Sequence, residues 1–118
     1  MKVTIDSIHY AYEIAKQCYS GLLSFTEAYE RIATNTGMAP NSAKDYINNL
    51  KYMLEGTCYC RTLNTYATKY YLTQIRKDYG EQAFQAAVSA TQQHVAYYNS
   101  LGYSQRRSIE KLLKELTK

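Results

Sequence analysis

Tryptophan is absent from this chain of 118 residues, phenylalanine occurs only twice and proline once. Aromatic bulk therefore has one source, the fourteen tyrosines. The five glycines are scattered singly, so no glycine-rich loop exists to cradle a phosphate. No apolar run approaches the length needed to cross a bilayer. No charged start leads into an apolar stretch with a small-residue cleavage site, so the expected location is the cytoplasm, with no membrane partner. The three cysteines, Cys18, Cys58 and Cys60, are odd in number, and two stand one residue apart. That is a poor disulfide framework and too few ligands for structural zinc, so all three are expected to be reduced thiols. The two histidines, His9 and His94, are isolated from each other and from any Cys or Ser partner in local spacing. No cofactor, metal or catalytic residue is expected, and the chain is expected not to be an enzyme.

What is present is globular in character, with 46% hydrophobic and 20% charged residues. The length suits one domain over residues 1–118. Tyrosine has an apolar body and a polar tip, so most of the fourteen are expected to replace phenylalanine in the core. The other use of so many tyrosines is a protein interface. The net charge of +4 is unevenly spread. Arg31, Lys44, Lys51, Arg61, Lys69 and Arg76 face only Asp45 and Glu55 within residues 31–76. A second basic concentration lies in residues 106–118, whereas residues 1–30 are net acidic. An anionic partner suits this asymmetry.

Six helical segments follow from apolar spacing and end signals. Asp6 to Tyr19 carries Ile8, Ala11, Tyr12, Ala15, Cys18 and Tyr19 on one stripe, and Gly21 ends it. Ser24 and Glu27 form a capping box for a second helix, which Gly37 closes. A third opens near Pro40, carries Ala43, Tyr46, Ile47, Leu50, Met53 and Leu54, and stops at Gly56. Residues 57–63 break the pattern. Thr62 or Asn64 then caps a fourth helix, which Gly80 ends. The fifth runs from Glu81 to Ser100 with Gly102 beyond it, and Ser104 caps the last, whose apolar row is Ile109, Leu112, Leu113 and Leu116. That row is expected to dock on the core, with dimerisation as the other use. No stretch has strand periodicity. The expected fold is all-α, a compact bundle of five to six helices.

One segment, about residues 25–55, has the spacing of a helix-turn-helix. Such a unit needs a small residue where two helices cross and a glycine in the turn, with apolar anchors on the inner side of the second helix. Ala33, Gly37, Ala43 and Tyr46 stand at those offsets, with Ile32 and Met38 flanking the turn. The outer side then offers Asn41, Ser42, Lys44, Asp45 and Asn48. Asparagine pairs with adenine edges, lysine with guanine or phosphate, and serine with either a base or a phosphate. Arg31, Lys51, Arg61 and Lys69 are the candidates to hold flanking backbone. Asp45 opposes phosphate unless it accepts from a cytosine amino group or pairs with a neighbouring base. The same spacing also suits a plain helical hairpin with a solvated outer face.

The succession Thr36-Gly37-Met38, Ser42 to Asn49, Met53 to Gly56 and Tyr59 to Asn64 resembles the helical N-terminal domain of bacterial HNH-type restriction endonucleases. The resemblance continues through Ala67 to Leu72, Asp78-Tyr79-Gly80 and His94 to Tyr98, and covers about residues 8–100. It implies a domain that contacts DNA or positions a nuclease. An HNH site needs a histidine general base and a nearby metal-binding histidine or asparagine in a ββα unit, which isolated His9 and His94 are not expected to supply. The expectation is thus recognition of duplex DNA without cleavage, by a free-standing or excised domain. The alternative is a protein-interaction module, either a homodimer or an adaptor to a nuclease or other partner.

Overall fold

The computed structural model describes residues 4–59, 61, 63–101 and 107–117. The chain is all-helical: α1 (Ile5–Tyr19), α2 (Phe25–Thr36), α3 (Pro40–Glu55), α4 (Thr65–Tyr79), α5 (Glu81–Ser100) and α6 (Arg107–Leu116). No strand occurs among the described residues, and none of their helices is long and apolar enough to cross a membrane. Two compact units divide the chain at residues 1–51 and 52–118, the division falling within α3.

In the first unit, Thr4 caps α1, its hydroxyl accepting from the Ser7 N–H at 3.1 Å. The buried stripe of α1 holds Ile8, Ala11, Tyr12 and Ala15 as expected. The end of that stripe is released: Cys18 is half-buried and Tyr19 is 44% exposed, because the chain turns away at Ser20 and Gly21. α1 packs against α2. The Ser24–Glu27 capping box forms with both bonds at 3.1 Å, satisfying two backbone donors that the first turn of α2 leaves open. α2 buries Ala28 and Ile32 only, while Phe25 at its start stays exposed.

The corner between α2 and α3 is closed by local chemistry. Gly37 takes the left-handed conformation (φ 74°) and donates its N–H to the Ala33 carbonyl at 2.9 Å. The Thr36 hydroxyl donates to the Ile32 carbonyl at 2.6 Å and accepts from the Met38 N–H at 3.1 Å. Pro40 then opens α3, where its missing N–H leaves nothing unpaired. α3 buries Ala43, Tyr46, Ile47, Leu50 and Met53, the expected inner stripe apart from a half-buried Leu54.

In the second unit, Asn64 supplies the cap of α4, accepting from the Ala67 N–H at 2.7 Å. α4 packs on α5, and α6 packs on both. Ile109, Leu112 and Leu113 of α6 are buried, and the hydroxyls of Thr65 and Ser108 lie 3.0 Å apart where α6 meets α4. Burying a side chain such as Leu72 or Phe84 contributes roughly 1.5–3 kcal/mol, so this packing carries the unit. The expectations for Cys60, Thr62, Gly102 and Ser104 lie outside the described residues.

Gly37 has no need of a side chain, but its positive φ excludes most others. Gly37→Ala is expected to destabilise the first unit by roughly 1–2 kcal/mol, the cost of a left-handed alanine. Urea denaturation followed by helix content checks this, and an unchanged midpoint contradicts it.

Candidate nucleic-acid interface

The α2–α3 corner sorts the side chains of α3. Asn41, Lys44, Asn48 and Lys51 are separated by three, four and three residues, which puts them on one helix face. Asn41 and Lys51 are exposed, and Lys44 and Asn48 are half-exposed. Ser42 lies off that face, toward Asn49, which is itself buried. Asp45 shares the outer face and is half-buried. The outer face thus carries two amides and two ammonium groups, opposed by a single carboxylate until Glu55.

Two of the lysines are tied to neighbouring elements. The Lys44 ammonium lies 4.6 Å from the centroid of the Tyr29 ring on α2. At a partly exposed site this cation–π contact contributes about 0.5–1 kcal/mol and holds the charge at the corner. Lys51 lies near the end of α1, where burial raises the Cys18 thiol pKa and the Lys51 charge pulls it back down. Arg31 is exposed on α2, in a surface recess that also holds Glu27, Glu30, Thr34 and Asn35. The Glu27 carboxyl sits below its ordinary range, chiefly through the Ser24 backbone N–H and then the Ser24 hydroxyl, with Arg31 adding to the effect. With two carboxylates beside it, Arg31 is the least suited of the candidates to meet a phosphate.

Arg61 and Lys69 belong to the second unit. Both are exposed, Arg61 in the segment before α4 and Lys69 on α4 itself.

Tyr46 is the inner anchor of α3 and only 5% exposed. Burial pushes its phenol up to about 12. A raised pKa means that the folded chain holds this proton more tightly than the unfolded chain. The associated stability is present below about pH 10 and is lost as pH rises toward 12.

His94 is isolated in sequence but not in the fold. It is fully buried, and its ring stacks on Tyr59 at 4.4 Å and 13°. Its Nδ1–H donates to the Tyr59 carbonyl at 2.6 Å, since a carbonyl can only accept. The Tyr98 ring lies 5.9 Å away on the other contact. Tyr59 also donates its hydroxyl to Thr91 at 3.1 Å, and Thr91 donates in turn to the Ala87 carbonyl. The Gln93 amide reaches the Gly56 carbonyl at 3.0 Å. This cluster fastens the irregular segment after α3 onto α5. Local sequence spacing gave no sign of it, because Tyr59 and His94 are 35 residues apart. No group of three or more His, Cys, Asp or Glu side chains that could hold a metal ion exists among the described residues.

No family model matches the chain, and neither a curated protein nor a solved structure is significantly similar to it.

Two measurements follow from these environments. Thermal stability is expected to fall between about pH 10 and about pH 12, and to fall less in Tyr46→Phe; equal losses in the two proteins contradict the burial argument. His94→Phe keeps the stack but removes the imidazole donor from the Tyr59 carbonyl, which keeps the weaker Cys58 thiol at 3.8 Å; the expected cost in urea denaturation is about 0.5–1.5 kcal/mol. A neutral substitution means that the hydrogen bond contributes nothing net.

Proposed function

We propose that this chain binds duplex DNA through the outer face of α3, as a helix-turn-helix unit over about residues 25–55 with no catalytic role of its own. The observation that carries the proposal is the pairing of the left-handed Gly37 corner with a two-sided α3. Ala43 and Tyr46 are buried on one side, and Asn41, Lys44, Asn48 and Lys51 occupy the other. Amides and ammonium groups on one exposed helix face match the acceptors and donors of the major groove and the charge of its phosphates. Asn41, Asn48 and, at the margin, Ser42 are assigned to base edges. Lys44 and Lys51 are assigned to phosphate, and Arg31, with Glu27 and Glu30 beside it, adds little. A bacterial, cytoplasmic setting in a restriction or other DNA-processing system goes with the resemblance described above.

The second proposal, a homodimer or an adaptor to a nuclease or other protein, has its own support. Tyr19, Leu22 and Phe25 are exposed around the α1–α2 turn, Leu22 at 75%. Sedimentation of the purified chain separates the two: a monomer at all concentrations removes the homodimer.

For DNA, a labelled duplex is titrated at two salt concentrations. Affinity is expected to fall steeply with salt, and Lys44→Ala with Lys51→Ala is expected to reduce the logarithmic slope by roughly 2. No binding at low salt, or a slope unchanged by the double substitution, defeats the α3 assignment.

A further inference from the structure

Between Glu55 and Asp78 the chain has no acidic residue, yet it carries Arg61, Lys69, Arg76 and Lys77 and the tyrosines Tyr59, Tyr66, Tyr70 and Tyr71. α4 divides these groups by helical period. Tyr71 points inward with Leu72 and Ile75, all fully buried. Tyr66, Lys69, Tyr70, Thr73 and Lys77 fall together on the opposite face. Tyr66 is 41% exposed, and its ring is nearly parallel to that of Tyr70, with 10° between planes and 6.3 Å between centroids. Lys69 and Lys77 are exposed on the same face. Thr73 turns its hydroxyl back to the carbonyls of Lys69 and Tyr70, so the rings and ammonium groups dominate the surface.

Arg76 stands apart from this face. Its guanidinium binds the Glu81 carboxylate at 2.7 Å and lies over the Phe84 ring at 4.6 Å. At the other end of α4, the contact between Thr65 and Ser108 brings in the first turn of α6, with Arg107 and, one turn on, Lys111, both exposed.

Parallel aromatic rings, flanking lysines and no carboxylate on the same helix face match an unpaired base and its phosphate chain. Every base has a π-face that stacks on tyrosine, whichever base it is. A duplex keeps those faces inside its own stack. A protein partner fits less well, because lysine is depleted at protein interfaces. We propose that the Tyr66–Lys69–Tyr70–Lys77 face of α4 binds single-stranded nucleic acid, with bases stacked on the tyrosines and phosphates held by the lysines. This surface lies in the second unit and does not depend on the α3 assignment.

The chain has no tryptophan, so its tyrosine emission can be followed directly. Oligodeoxythymidine and oligouridine of about 20 nucleotides, long enough for a site of this kind, are titrated into the full chain at low and moderate salt. Binding is expected with quenching of tyrosine emission. Tyr66→Ala, an exposed position that alanine fills without harm to the helix, is expected to weaken binding roughly tenfold, and Tyr66→Phe to preserve it. Lys69→Ala is expected to lower the salt slope by roughly 0.7. Binding of either oligomer with this pattern supports the proposal, and the tighter one identifies the sugar. Three results overturn it: no binding at low salt, an affinity unmoved by Tyr66→Ala, or a loss that follows Lys44→Ala and Lys51→Ala instead. The first two leave duplex binding by α3 untouched, and duplex binding lost without loss of oligomer binding leaves this surface standing.

Discussion

A buried tyrosine brings a hydroxyl that must find a partner, and Tyr12, Tyr59 and Tyr71 are among the largest fully buried side chains of this protein. Left unpaired, each hydroxyl costs about 1–3 kcal/mol. No buried side-chain nitrogen or oxygen among the described residues lacks a partner. The requirement shapes the second unit most visibly at Tyr59, which has no helix of its own to hold it. Its hydroxyl, its carbonyl and its ring each meet α5, through Thr91, His94 and the His94 ring in turn. A phenylalanine there would keep the stack and lose the hydrogen bond to Thr91.

The same residue type serves both sides of a helix. On α4, Tyr71 fills the interior while Tyr66 and Tyr70 set a pair of rings near solvent. On α3, Tyr46 is the inner anchor, and the outer face is left to amides and lysines. Both surfaces assigned to nucleic acid are therefore the reverse sides of packed helices, and the burial of one face orients the other.

Helix ends were the most legible feature of the sequence, because their chemistry is local. Ser24 with Glu27, Gly37, Pro40, Asn64 and Gly80 each act within four residues of themselves, and each stands where spacing put it. Burial at the ends of stripes was less legible. Tyr19 and Phe25 have the right period but sit where one helix stops and the next starts, so nothing covers them fully. Contacts across a turn or a loop left no local trace: Lys44 over Tyr29 joins two helices, and His94 reaches back to Tyr59. For the candidate site, the sequence put Ser42 on the outer side with Asn41, Lys44 and Asn48 and left Lys51 as a flanking contact; in the fold Ser42 turns off that face toward Asn49 and Lys51 joins it. The carboxylates near Arg31 were visible as Glu27 and Glu30 in the same helix. The division of the chain inside α3 has no signal in composition, since the helix runs through it without a break.

Gly80 is the whole connection between α4 and α5, at φ 95° and ψ 179°, with open space where a β-carbon would stand. Its constraint is thus one of handedness and not of volume: a mirror-image alanine would sit there without strain, while the natural one would not. A joint of one residue also has no slack. A residue added inside α5 just after this joint would turn what precedes it by about 100° against Phe84, Val88 and Thr91, which the joint now holds in register with the surface they cover. The corner therefore fixes the phase of α5 against α4 through one residue's handedness.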